Sequence, residues 1–112
     1  MPKNLVELVK EEDFDSFLQN NKLVLVKFSA GWCPPCRVLQ ENIEELLKQL
    51  EEQQKDLMVL KVEVEKFPNL AQRTQFSVRS LPTFFLFHQG KMIKEKQQGS
   101  RSVQWLREFI TV

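Results

Sequence analysis

A chain of 112 residues, 42% apolar and formally +1 from 16 basic and 15 acidic side chains, is sized for one domain, 1–112, with its own hydrophobic core. So small a net charge excludes a dominant electrostatic attraction to nucleic acid or to an anionic membrane surface. No run approaches the ~20 apolar residues of a membrane-spanning helix, and Met1-Pro2-Lys3-Asn4 does not lead into the apolar core of a secretory signal, so a cytoplasmic protein is expected.

Leu5 to Val9 is a short apolar stretch, read as an edge strand. Phe14, Phe17 and Leu18 recur at helical spacing behind Glu11, Glu12 and Asp13, acids that suit a helix start, which predicts a helix over 11–19. Asn20-Asn21-Lys22 breaks it. Leu23 to Phe28 is a compact Leu, Val and Phe run, the pattern of a strand buried on both faces, and Ser29-Ala30-Gly31 makes a small-residue loop. From Cys33 on, Val38, Leu39, Ile43, Leu46, Leu47 and Leu50 form one helical stripe. Glu44 with Lys48 and Glu51 with Lys55 add i,i+4 pairs on its wet face, and this longest helix should end near Gln54.

Residues 57–64 read as another strand, and Phe67-Pro68-Asn69 opens a short helix carrying Leu70, Ala71 and Phe76. Pro82 to Phe87 is a hydrophobic strand, Gln89-Gly90 a tight turn, and Lys91 to Gln97 its polar, exposed partner strand. Ser100 or Ser102 caps a last helix with Val103, Leu106 and Ile110 inward. The order β-α-β-α-β-α-β-β-α is that of an α/β fold whose helical crossovers give a parallel portion and whose last pair is an antiparallel hairpin. Nine phenylalanines beside no tyrosine carry no functional signal that the sequence explains.

The chemistry is concentrated in Trp32-Cys33-Pro34-Pro35-Cys36, which holds both cysteines of the chain. Two thiols two residues apart at a helix start are suited to making and breaking a disulfide. The thiolate is the nucleophile, and free N–H groups with a partial positive charge at the helix tip favour it. Cys33 at the tip would attack, its sulfur open to solvent, and Cys36 one turn in would resolve. A zinc site also uses Cys-x-x-Cys, but zinc takes about four ligands, and this chain adds only the distant His88 to its two cysteines. No chemistry is assigned to His88.

The segment Val26-Lys27-Phe28-Ser29-Ala30-Gly31-Trp32-Cys33-Pro34-Pro35-Cys36-Arg37 resembles the active-site signature of the thioredoxin family. Val78-Arg79-Ser80-Leu81-Pro82-Thr83 resembles that family's cis-proline segment, Phe87-His88-Gln89-Gly90-Lys91 its hairpin, and Gly99 its substrate-surface glycine. The resemblance implies a thioredoxin fold, a central mixed sheet flanked by helices, and reduction of protein disulfides. It implies that Cys33 attacks and Cys36 resolves, that Trp32 and Pro34 lie on the client-binding surface, and that Pro82, in cis, faces the cysteines. Ser80 and Leu81 would offer backbone groups to an extended client, and Gly99 would let client backbone approach closely. The electron donor it implies is a flavin- and NADPH-dependent reductase or a small dithiol, with no cofactor bound to the chain, which is expected to be a monomer.

Three positions depart from the family pattern. Lys27 stands where the family commonly buries an aspartate, and Lys61 matches a neighbouring family lysine, so two cations come close together. Three resolutions are open: Lys27 reaches outward, one lysine is partly neutral, or Glu63 or Glu65 partners it. A positive charge there should favour the thiolate, giving a more acidic Cys33 and a weaker reductant. Pro34 and Pro35 supply no N–H groups, which removes donors from the Cys33 sulfur and pulls the other way. Glu41 replaces a helix-kinking proline, so the long helix is expected to run straighter. The reading is a protein-disulfide reductase acting through Cys33 and Cys36. The rival is a thioredoxin-like interaction module or assembly subunit with little reductase activity, separable from it by insulin reduction.

Overall fold

A computed structural model describes residues 2–112. Its centre is a mixed sheet of β1 (Leu5–Glu7), β2 (Leu23–Ser29), β3 (Met58–Glu63), β4 (Thr83–His88), β5 (Lys91–Met92) and β6 (Gln97–Gln98). The order across it is β1-β3-β2-β4-β5, with β6 also on β4. β1 and β2 run parallel to β3, and β4 runs antiparallel to β2. The parallel pairs require crossovers, which α1 (Phe14–Asn20) and α2 (Pro34–Glu52) supply; α3 (Pro68–Ala71) and α4 (Val103–Phe109) complete the helices.

β2 is buried along nearly its whole length, as its continuous apolar run demands, and its alternation divides the core in two. Val24, Val26 and Phe28 face α1 and α3 with Phe14, Leu18, Leu70 and Phe76. Leu25 faces α2 and α4 with Leu39, Ile43, Leu46 and Leu106. The phenylalanine-rich composition has its explanation in the first of these layers. The Phe76 ring sits 5.6 Å from Phe14, 5.2 Å from Phe28, 4.9 Å from Phe85 and 6.2 Å from Phe87, in tilted and edge-on arrangements that suit aromatic quadrupoles.

Three expectations are corrected. The segment 91–97 is not one continuous strand: β5 and β6 pair with β4 in registers that differ by two residues, and after Ile93, whose N–H still donates to Leu86 O at 3.0 Å, residues 94–96 leave the ladder between them. Neither half has a buried apolar face, Met92 being exposed, so nothing holds a single register, and Lys96 Nζ leaves to donate to the carbonyls of Phe76 and Ser77 at 3.3 and 3.1 Å. The strand order therefore ends β-β-β-α. The helix after Phe67 stops at Ala71, and Phe76 lies beyond it, in a turn closed by its N–H on Arg73 O at 2.9 Å. The first helix opens with a 3-10 turn at Glu11–Asp13. α2 runs uninterrupted through Glu41, which keeps the backbone N–H that proline would lack.

Candidate functional site

β2 delivers the chain to the C-terminal edge of the sheet, where Ala30 and Gly31 turn it into α2. Cys33 is the N-cap of that helix, with extended backbone (φ −95°, ψ 108°), and Pro34 and Pro35 occupy the first helical positions, where a missing N–H costs no intrahelical bond. The first amide left to cap the helix tip is that of Cys36, and it donates to Cys33 Sγ at 3.3 Å. The proline pair thus removes two donors but spares the one aimed at the sulfur. Cys33 and Cys36 are joined as a disulfide, their Cα atoms 5.2 Å apart.

The two sulfurs face different spaces. Cys33 borders a groove of about 530 Å³ walled by Trp32, Pro34, Pro35, Val64, Val78 and Leu81. Cys36 borders a smaller cavity of about 190 Å³ on the other side, with Lys27, Ser29, Arg37, Gln40 and Lys61. The expectation of an openly exposed attacking sulfur is corrected. Cys33 is 3% exposed and Cys36 4%, packed with Ala30, Val64 and Leu81, so access to Cys33 runs through the groove. A larger cleft, about 810 Å³, lies at the opposite end of the sheet around His88 and Asn21 and holds neither cysteine.

Trp32 is 64% exposed and plugs no core. The Leu81–Pro82 bond is cis; Pro82 is buried, and Ser80 and Leu81 rather than its ring line the groove. Ser80 O accepts the Thr83 hydroxyl at 2.6 Å and keeps a second lone pair. Gly99 has φ +89°, a conformation that favours glycine, and its N–H donates to Pro82 O at 2.8 Å. It therefore braces the cis-proline segment and is absent from the groove wall, where a client contact was expected.

Lys27 does not reach outward: it is 1% exposed and its Nζ donates to Gln40 Oε1. Gln40 Nε2 in turn donates to Glu44 Oε2 at 2.9 Å. Lys27 and Lys61 are register partners across β2 and β3, as are Ser29 and Glu63. Burial, then the Lys61 charge, pulls the Lys27 ammonium down to about 8, with Glu44 and Glu63 opposing. Of the three resolutions, outward reach is excluded by that burial, and the lowered proton affinity weakens the hold on the Lys27 proton without removing its charge at neutral pH, Glu63 opposing through space. Among the described residues the ion pairs are Lys66–Glu7 and Arg73–Asp15, and Lys27 is in neither.

The sequence pattern of the thioredoxin family matches residues 5–112. The chain belongs to the thioredoxin family. It is similar to a thioredoxin of Buchnera aphidicola, 32% identical over 112 residues that span all of this chain and 97% of that one. It is also 37% identical over 107 residues, 96% of this chain, to a bifunctional thioredoxin reductase/thioredoxin of Mycobacterium leprae, of which it covers 22%. Among solved structures, a mutant thioredoxin from Halobacterium salinarum superimposes with a TM-score of 0.81 at 29% identity, covering 97% of this chain and 89% of that one. As a thioredoxin-family chain with a disulfide-forming Cys33–Cys36 pair, the protein is a thiol–disulfide oxidoreductase.

Other residues of this thioredoxin site escape a reading by motif. Gln40 is one helical turn after Cys36 and so shares its face, and Ser29 is two residues after Lys27 on the same face of β2. Periodicity gave both a signal. Val64, Pro68, Ala71 and Gln72 reach the groove only because β3 and α3 fold beside the cysteines, and no local pattern marks them.

Proposed function

We propose that this protein reduces disulfides in client proteins, with Cys33 attacking and Cys36 resolving. The reading rests on one observation: Cys33 sits at the tip of α2 in the wall of an apolar groove and is bonded to Cys36. An extended client segment lies along Trp32, Pro34, Ser80 and Leu81. The Cys33 thiolate attacks one client sulfur, and the other leaves as a thiolate that takes a proton from water. Cys36 then loses its proton and attacks Cys33 Sγ, breaking the mixed disulfide and releasing the second client thiolate. Two electrons pass to the client, and the Cys33–Cys36 disulfide remains.

The sulfurs carry the electrons, so the reading needs no bound cofactor. The donor in this reading is a flavin- and NADPH-dependent reductase, supported by the relative whose name joins a thioredoxin reductase to a thioredoxin; a small dithiol is the other donor to test. Among the described residues no helix is long and apolar enough to cross a membrane. We place the chain in the cytoplasm as a monomer, where clients and donor are reduced. Lys27 and Lys61, behind Cys36 rather than Cys33, favour thiolate and so the dithiol state, making the protein a weaker reductant than a family member with an acid at position 27.

Insulin reduction with dithiothreitol tests the activity. Accelerated precipitation that Cys33→Ser abolishes is the expected result, and no acceleration over dithiothreitol alone would reject it. A Cys36→Ser variant should retain clients as mixed disulfides released by reductant.

A further inference from the structure

The cavity behind Cys36 has a composition that client reduction does not use. Its wall holds three cationic side chains, Lys27, Arg37 and Lys61, with Ser29 and Gln40, and no carboxylate. Lys27 has three N–H donors, of which Gln40 Oε1 takes one. Among the described residues, neither ion pair involves any of these three cations. Ser29 supplies the second observation. Its hydroxyl is buried, the residue 1% exposed, and Oγ has no protein hydrogen-bond partner, a costly condition that something accepting a hydrogen bond would relieve.

These groups converge by construction. Lys27 and Ser29 are two apart on β2 and share a face, Lys61 is opposite Lys27 on β3, and Cys36 and Gln40 lie one turn apart on the facing side of α2. About 190 Å³ is several times the ~30 Å³ that a water molecule occupies in the liquid. Unspent N–H donors, a free hydroxyl and an excess of positive charge match a ligand with several acceptor oxygens and negative charge.

We infer that this cavity binds a small tetrahedral oxyanion, phosphate or sulfate, held by Lys27, Ser29 and Lys61 with Arg37 at its side. The anion's charge offsets the repulsion between the two lysines. Glu44 and Glu63 are the acids near Lys27; Glu44 is engaged by Gln40, and neither forms the cavity wall. Because Lys27 loses its proton near 8, affinity falls as pH rises through that value. A consequence, resting on the proposed reductase reading, is that an anion beside Cys36 disfavours its thiolate and slows release of the client from Cys33.

Sodium sulfate is the probe, because its charge is fixed over the working range, with sodium chloride exchanged to hold ionic strength constant. Titrated into the oxidised, isotopically labelled full chain, it should give saturable amide shifts confined to residues 27–31, 36–40 and 61. Ser29→Ala should weaken binding by about tenfold, and Lys27→Met should abolish it. Shifts that rise without saturating, that chloride reproduces, or that Ser29→Ala leaves at wild-type affinity would overturn the site; this last comparison decides even if Lys27→Met does not fold. Sulfate should also lengthen the mixed-disulfide lifetime in wild type and do so less in Ser29→Ala. Saturable binding without that delay overturns the coupling to the second step alone. Saturable binding in a protein that never reduces insulin keeps the site and removes the reductase reading, and the reverse pattern removes the site and keeps the reductase.

Discussion

Burying Lys27 between β2 and α2 strips its ammonium of water, and Gln40 returns one neutral acceptor. Its proton affinity in the fold drops from 10.5 to about 8, first through burial and then through Lys61. A folded-state value below the unfolded one means that between the two the unfolded chain binds more protons, so stability rises with pH through that window. Below about 8 the fold carries the full penalty, on the order of 3 kcal/mol. Lys27→Met should therefore raise the urea midpoint at neutral pH and flatten the rise between about 8 and 10.5; an unchanged slope would place the titration elsewhere. Lys27→Asp should shift the equilibrium with glutathione toward a more reducing pair. The sequence displayed the substitution plainly. It hid that the charge lies beside Cys36 and not Cys33, because Lys27 and Gln40 are 13 residues apart and meet only when helix packs on sheet.

At the scale of elements, the start of α2 and the Phe76 turn govern the site. Pro34 and Pro35 leave the Cys36 amide as the donor to Cys33 Sγ. Pro35→Ala returns an N–H at the second helical position and should make Cys33 more acidic, followed as thiolate absorbance against pH; no change would show that this amide points elsewhere. The same titration on the wild type tests the weaker-reductant proposal, which an apparent value at or above that of a free thiol would reject. Phe76→Ala should cost about 3–5 kcal/mol, read from chemical denaturation, because four rings close on that side chain. The long helix and β2 were legible as periodicity and as a continuous apolar run. Phe76 was misplaced because a lone aromatic after a short helix looks like one more turn of it, and only the rings waiting on β2 and β4 show why the chain turns back there.

Over the whole molecule, two sequence segments far apart frame the groove, 32–35 from the start of α2 and 78–81 before β4, with Val64 and residues of α3 and its end completing the wall between them. Both were readable, since each carries its own local signature, and so was the order of elements joining them. The division of space around the disulfide was not, because it depends on which face of β2 meets α2. The far edge of the sheet was missed for the opposite reason: residues 91–98 are mostly polar, and their two apolar side chains, Met92 and Ile93, are exposed, so no buried face imposes a register. That edge has a bearing on how the protein behaves when crowded. β5 and β6 are two residues each, interrupted by Lys94 and Lys96, and β1 on the other flank spans only three. A neighbouring polypeptide finds no unbroken row of amides to dock against on either side. Concentrated solutions of the folded protein should resist fibril nucleation, and deleting the two-residue slip to give β4 one long, regular partner should forfeit that protection.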